Sequence, residues 1–258
     1  SLTSYAYDPL INLVIILLIV IGGIGFLTWD DIYRNRHHIS RYRMQSKVIL
    51  SYSLALIFIP AILFFFLEFQ DIPAGKRILV SLFQSVTTRT AGFNTADLSS
   101  MRESGQFLMS RLMLVGGSPG STAGGIKTTT LAVLISCATA VFARKDSPEM
   151  FKRRIIPDIV ATAIAILFMY TSLGILCAMT LSILESLPLM PCLFEAFSAL
   201  ATVGLSFGIT PTLSVPSKLI LIAFMFIGRV GGLTIIYATM SGYKIQCGKF
   251  PQEKISVG

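Results

Sequence analysis

The chain has 258 residues, of which 53% are hydrophobic and only 13% charged, and its mean hydropathy is +0.74. A soluble domain carries roughly 25% charged residues, so this composition excludes an ordinary soluble globule and also a disordered, collagen-like or disulfide-stapled chain. The formal net charge of +8 is concentrated in short loops between apolar runs, which indicates membrane topology and not nucleic-acid binding. The sequence therefore predicts an all-α integral membrane protein that is surrounded by the lipid bilayer.

Long apolar segments, taken in chain order, predict the membrane spans. The first carries no charge over 19 residues, and a helix of that length reaches roughly 28 Å, about the thickness of the hydrocarbon core. Pro60 should kink the second span. The expected spans cover residues 10–28, 48–69, 107–142, 157–184 and 217–240.

Two loops between these spans are rich in arginine and lysine. Because basic loops stay on the cytoplasmic side of a membrane, we expect both loops there. Residues 1–9, 70–106 and 185–216 then face the outside. The basic residues are Arg34, Arg36, Arg41, Arg43 and Lys47 in one loop, and Arg144, Lys145, Lys152, Arg153 and Arg154 in the other.

Two further apolar segments are too short to cross the membrane. Residues 74–88 and 189–201 reach only about 20 Å as helices, and each runs into a polar turn that contains glycine. This pattern is typical of a re-entrant half-helix. Non-helical backbone at membrane depth is tolerated only where it is buried in protein or lines water, so the pattern predicts a pore or cavity.

The chain also contains an internal repeat. The turns at Gly92 and Gly204, and the later segments MLVGG (113–117) and MFIGR (225–229), share one offset of 112 positions. We therefore expect one complete pore repeat in residues 49–150 and another in 151–258. VIGGIGF (20–26) resembles FIGRVGG (226–232), so residues 1–48 would hold the last helix of an incomplete upstream repeat and a cytoplasmic loop. The alternative is that small residues at this spacing only pack helices.

The turns that follow the two half-helices have the chemistry of a cation site. The C-terminal end of a helix carries roughly half a negative charge, and glycine lets consecutive carbonyl groups face one axis. Backbone carbonyls of this kind replace the hydration shell of K⁺ in potassium channels; the alternative is that both turns are ordinary loops. The expected filter residues are Thr90, Ala91, Gly92 and Phe93, and Thr202, Val203, Gly204 and Leu205.

Three motifs together resemble the Trk/Ktr/HKT superfamily of potassium transporters, and the bacterial Ktr-type membrane subunit in particular. They are TTRTAGFNT (87–95), GGSPGSTAGGIKTTT (116–130) and ATVGLS (201–206). The resemblance implies repeated units of helix, pore helix and helix around a pseudo-four-fold ion pore in the bacterial cytoplasmic membrane. It also implies a homodimer seated on a cytosolic nucleotide-binding regulatory ring, contacted by the basic loops and the tail at 244–258. The chain departs from the family by carrying only two filter turns.

A glycine-rich segment interrupts the third apolar run, and five glycines and a proline should break a helix there. The resemblance implies an intramembrane gate at this place; a rigid break remains the alternative. A phosphate-binding loop is a poor match, because Ile126 separates Gly125 from Lys127. The expected gate residues are Gly116, Gly117, Ser118, Pro119, Gly120, Ser121, Thr122, Ala123, Gly124, Gly125, Lys127 and Arg229.

Ionisable residues inside a membrane are functional candidates by default. Arg229 is equivalent to Gly117 in the repeat, so we expect it at the level of the glycine-rich segment, where the resemblance implies an arginine that holds the gate. Lys127 ends that segment. Arg89 lies beside the first turn and should support it, with Glu195 as a candidate partner; for Arg89 and Lys127 a purely structural role is equally open.

These features together favour K⁺ uptake across the cytoplasmic membrane, with K⁺ bound at the filter residues and Na⁺ as a candidate co-ion or activator. The alternative is a non-conducting structural or regulatory membrane subunit. The sequence shows no catalytic constellation and calls for no organic cofactor, and an enzyme or solute carrier would need acidic residues or histidines in mid-span. We therefore do not expect an enzyme.

Overall fold

The computed structural model describes residues 2–231 and 234, and these residues are mostly helical, which confirms the all-α expectation. One two-stranded antiparallel hairpin, β1 (Glu149–Met150) and β2 (Arg153–Arg154), lies in the second basic loop. The helices are α1 (Pro9–Ile24), α2 (Phe26–Asn35), α3 (Met44–Leu67), α4 (Ala74–Thr87), α5 (Glu103–Leu114), α6 (Thr128–Phe142), α7 (Pro157–Glu185), α8 (Leu189–Leu200) and α9 (Val215–Val230).

The surface of the long helices is apolar, which is the arrangement expected of a protein surrounded by lipid. Helices α3 and α7 are each long and apolar enough to cross a membrane, and α1 with α2 forms a third candidate that is bent by 92°. Large apolar side chains are exposed along α1, α3 and α7, among them Leu18, Phe58 and Phe168. Burial of such side chains in water-free surroundings is favourable, so lipid is the natural contact of these faces.

Three of the predicted spans differ from the helices of the structure. The span at 10–28 ends at Ile24, because Gly25 has a φ of 90° and the chain turns sharply into α2. The span at 107–142 is divided into α5 and α6. The span at 217–240 ends as α9 at Val230, and residues 232, 233 and 235–240 of that expectation lie outside the described residues.

The two short helices lie in the interior of the molecule. Helix α4 packs against α1 and α3, and α8 packs against α5, α7 and α9. Phe64 of α3, Met109 and Met113 of α5 and Phe194 of α8 are fully buried in one cluster. A short helix surrounded in this way ends at a defined depth in the protein, and each of the two ends directly at a predicted turn.

Helix ends repeat at fixed offsets along the chain. Glu103, where α5 begins, and Val215, where α9 begins, are 112 positions apart, the offset found in the sequence. Helices α1 and α9 have 16 residues each, and both their starts and their ends differ by 206 positions. Each is followed by a glycine with φ near 90°, Gly25 and Gly231.

Candidate ion-binding site

The two predicted turns have the same unusual backbone conformation. The φ angles are positive at Thr90 (61°) and Thr202 (55°), and again at Gly92 (77°) and Gly204 (90°). Positive φ is uncommon for a threonine, and glycine adopts it without steric cost. Because the same two positions are affected in both turns, the chain makes one local structure twice.

The two turns lie against each other. A Cβ atom added to Gly92 would overlap the carbonyl oxygen of Val203, and one added to Gly204 would lie 3.8 Å from the Cα of Gly92. Gly92 therefore allows the closest approach of the two backbones, and a side chain there would push the turns apart.

Within residues 2–231, six carbonyl groups of the two turns accept no hydrogen bond. At the end of each turn a hydroxyl from the preceding helix binds the carbonyl: Thr87 donates to Phe93, and Ser198 donates to Leu205 (2.6 Å). Among the described residues, no donor binds the six carbonyl oxygens that precede Phe93 and Leu205 in the two turns. Carbonyl oxygens are hard ligands that suit an alkali cation. They belong to Thr90, Ala91, Gly92, Thr202, Val203 and Gly204.

Each turn lines a cavity. One of about 490 Å³ is lined by the second turn together with Glu195, Ser206 and Arg229. Another of about 240 Å³ is lined by the first turn together with Arg89, Gly22 and Thr122. Each turn therefore borders a cavity that is also lined by Thr122 of the glycine-rich segment or by Arg229.

The glycine-rich segment packs directly against both turns. Its ends are joined, since the N–H of Gly116 donates to Ile126 O (2.9 Å) and the N–H of Ile126 donates to Leu114 O (2.9 Å). A Cβ atom on Gly116 would lie 3.3 Å from the Thr90 side chain, and one on Gly124 would overlap the Thr202 hydroxyl. Glycine is needed at Gly124 because the Thr202 side chain occupies the space of a Cβ atom, and at Gly116 because a Cβ atom would overlap the carbonyl oxygen of Gly124 in the segment itself.

Two of the predicted cations bind neighbouring carbonyls of this segment. Arg229 donates to Thr122 O, and Lys127 Nζ donates to Ala123 O over 2.5 Å. Within the described residues neither side chain forms a salt bridge. The structure thus places both cations at the glycine-rich segment, where each binds a backbone carbonyl oxygen.

The expected contact between Arg89 and Glu195 is not formed, so that pairing is corrected. Arg89 is 8% exposed and donates to the carbonyl (3.2 Å) and hydroxyl (3.4 Å) oxygens of Ser53 on α3. Glu195 accepts hydrogen bonds from the hydroxyls of Ser206 and Thr210, the latter over 3.0 Å. Each residue therefore binds groups near its own turn, because the two half-helices approach through their backbone ends and not through these side chains.

The sequence did not predict the contacts that the end of α1 and the start of α2 make with the glycine-rich segment. The N–H of Ser118 donates to Gly23 O (2.9 Å), and the N–H of Phe26 donates to Gly120 O (3.2 Å). The hydroxyls of Ser118 and Thr128 are also hydrogen-bonded at 2.9 Å. The offset of 206 positions between α1 and α9 makes Gly23 equivalent to Arg229. Because Arg229 was expected at the glycine-rich segment, this offset could have predicted the first contact.

The chain is similar to known proteins in both sequence and fold. The family model described as "TrkH: Cation transport protein" matches residues 1–243. Similar proteins include the potassium/sodium uptake protein NtpJ of Enterococcus hirae, 37% identical over all of this chain and 59% of that protein. The Ktr system potassium uptake protein B of Bacillus subtilis is 37% identical over 92% of this chain and 55% of that protein. The chain thus spans somewhat more than half the length of these relatives.

The fold is similar to that of a solved transporter. The crystal structure of the potassium transporter TrkH from Vibrio parahaemolyticus matches with a TM-score of 0.67 and 20% identity, over 88% of this chain and 51% of that one. The relatives are named as ion uptake proteins and not as enzymes, and the family agrees with the predicted multi-pass protein of the cytoplasmic membrane. The chain belongs to the TrkH family of cation transport proteins.

Proposed function

We propose that the turns at 90–93 and 202–205 bind dehydrated K⁺ as two sides of a selectivity filter in a potassium uptake protein. The observation that carries the proposal is the set of six carbonyl oxygens, on two contacting turns, to which no donor of the described part of the chain binds. Carbonyls replace the hydration shell of K⁺, and the C-terminal ends of α4 and α8 add negative potential. Two such turns form half of a pseudo-four-fold ring.

We propose the same repeat boundaries as the sequence predicts: one unit in residues 49–150, one in 151–258, and the end of a further unit in 1–48. The equal lengths and common offset of α1 and α9 support this division. Na⁺ is proposed as a co-ion or activator, and the support is that one relative is named a potassium/sodium uptake protein.

We propose that residues 116–125, with Lys127 and Arg229, form a gate beneath the filter. Support comes from the close packing of Gly116 and Gly124 against the two turns, which leaves the segment where it would obstruct an ion leaving them. The bonds from Arg229 and Lys127 hold the segment at Thr122 and Ala123. Displacement of the segment would then open the path.

We propose a homodimer that contacts a cytosolic nucleotide-binding regulatory ring. The family resemblance is the main support, and the second basic loop, whose Arg153 and Arg154 are exposed, offers a contact surface. The tail at 244–258, which the sequence reading also assigned to this contact, lies outside the described residues.

The filter is tested by K⁺ and Na⁺ flux into proteoliposomes that contain the full-length natural protein. Gly92→Ser and Gly204→Ser should each lower the preference for K⁺ over Na⁺, because a side chain strains the positive φ and moves the carbonyls. Gly208→Ser is the matched control, since Gly208 also has a positive φ (87°) but open space around it. Selectivity that is unchanged in both filter variants would refute the filter, and absence of K⁺ flux in the unmodified protein would favour a non-conducting subunit.

The gate is tested by deletion of residues 118–124, which should raise K⁺ flux because the obstructing segment is shortened. Selectivity should be retained, since the turns themselves are unchanged. A flux that stays at the level of the unmodified protein, in a variant that still assembles in the membrane, would contradict the gate.

A further inference from the structure

Helix α2 buries polar side chains and exposes aromatic ones, which is the reverse of a surface helix in a soluble protein. Its buried residues are polar, with Thr28 at 1% and Asp31 at 5% exposure. Its most exposed side chains are aromatic, Phe26 at 76% and Tyr33 at 81%, and Trp29 at 37% lies between them. Positions 26, 29 and 33 share one face of a helix. These three residues form an aromatic stripe on the outward face of α2, beside the exposed ion pair of Asp30 with Arg34.

The orientation of this stripe is fixed by hydrogen bonds on the other side of the helix. The Asp31 carboxylate accepts from the backbone N–H of Arg43 (2.8 Å) and from the Asn35 amide (2.7 Å). The Trp29 indole N–H donates to Ile21 O (3.1 Å) in the last turn of α1, where helix carbonyls lack their usual partners. The helix cannot rotate to bury the stripe without losing these bonds.

The position of α2 at the end of an apolar helix points to the membrane surface. Helix α1 exposes apolar residues such as Leu10, Leu17 and Leu18 along its length, and α2 leaves it at 92°. A helix perpendicular to a membrane span runs parallel to the bilayer plane. Tryptophan and tyrosine are enriched at the level of the lipid headgroups, and helices with an apolar face commonly lie there.

The charge that follows α2 complements lipid phosphates. The basic residues Arg36, Arg41 and Arg43 are exposed directly after the helix, and basic residues next to a membrane surface are attracted to anionic lipids. We propose that α2 lies in the plane of the membrane at headgroup level, with its aromatic stripe toward the acyl chains and these arginines facing phosphates. The partner of this surface is thus the phospholipid bilayer, and the proposal does not depend on the transported ion.

Trp29 is a natural reporter of this placement, because it is the one tryptophan of the 258 residues. The full-length protein is placed in phosphatidylcholine–phosphatidylglycerol vesicles whose phosphatidylcholine carries bromine near the headgroup or deep in the acyl chain. The signal of Trp29 is the difference between the native protein and Trp29→Phe. Shallow bromine should quench this signal more strongly than deep bromine.

A second variant calibrates the depth scale. Phe168→Trp adds an indole near the middle of α7, at a position that is 74% exposed, and its added signal should be quenched more strongly by deep bromine. Tyr33→Trp, which keeps Trp29, should add a signal of the shallow type. This variant tests the stripe even if the loss of the Trp29 hydrogen bond disturbs the fold.

Three results would overturn the proposal. Quenching of the Trp29 and Tyr33→Trp signals by aqueous iodide but not by bromolipid would place the stripe in water. Quenching by neither agent would mean that protein covers it, either a second copy or another part of a longer chain. A depth profile equal to that of Phe168→Trp would place α2 across the membrane and not along its surface.

Discussion

The guanidinium group of Arg229 on α9 binds the carbonyl oxygen of Thr122, a residue 107 positions earlier in the glycine-rich segment. This bond ties α9 to the segment that packs against both turns. Lys127 binds the neighbouring carbonyl of Ala123, so two cations hold consecutive peptide groups of one segment.

Arg229→Ala should increase K⁺ flux, because it removes one of these restraints. A hydrogen bond from a charged donor contributes about 1.5–3 kcal/mol, which corresponds to a shift of roughly ten- to hundred-fold in the population of displaced segments. The measurement is initial flux in proteoliposomes. Arg111→Ala is the control, since Arg111 is exposed on α5 and stacks near Phe107; equal flux in the two variants would contradict the restraint.

Glu195→Ala should lower both thermal stability and K⁺ selectivity, because two hydroxyls that tie the segment after the second turn to α8 lose their acceptor. The expected loss of stability is about 2–3 kcal/mol, and Glu195→Gln, which keeps one oxygen, should lose less. Glu185 makes a similar tie to Ser214 at the exposed end of α7. If Glu185→Ala altered selectivity as much as Glu195→Ala, the effect would not be specific to the turn.

Gly228→Ala should destabilise the protein by about 1–3 kcal/mol, the usual cost of overpacking, because the added methyl group would overlap Leu200 O at the end of α8. Gly22, the equivalent residue of α1, has its nearest neighbour at 3.8 Å, so Gly22→Ala should be tolerated. Thermal unfolding in detergent compares the pair. Equal melting temperatures would show that α8 yields to the methyl group.

Gly25→Ala should raise K⁺ flux by disturbing the contact between the bend of α1–α2 and the glycine-rich segment. A methyl group there would press on Pro119 O at 2.5 Å, in addition to straining a φ of 90°. Gly231→Ala imposes the same backbone strain at a φ of 88° but has more room, with its nearest neighbour 3.6 Å away. A flux increase of the same size in both variants would assign the effect to strain alone.

The short helices could be predicted closely from the sequence. Helices α4 and α8 end at Thr87 and Leu200, each one residue before the predicted end, because an apolar run gives way to a turn whose glycine requires a positive φ. The break between α5 and α6 was equally readable from its five glycines and a proline. These features are local, so the local sequence determines them.

The bend at Gly25 and the partners of Arg89 could not be read in this way. The apolar run continues through Gly25, Phe26 and Leu27 without a polar residue that would mark the bend, where the chain contacts Pro119 and Gly120 from another part of the fold. Arg89 binds Ser53 on a neighbouring helix, a residue with no distinguishing pattern around it. Both features depend on contacts between distant segments, which spacing along one chain does not encode.

The glycine-rich segment is held at one side by the bend between α1 and α2, through Gly23 and Phe26, and at another by α9, through Arg229. Movement of one helix alone breaks only its own bonds and leaves the segment held by the other. In the proposed gate each contact should therefore act as a graded input: freeing one side should raise ion flow in part, and freeing both should raise it further.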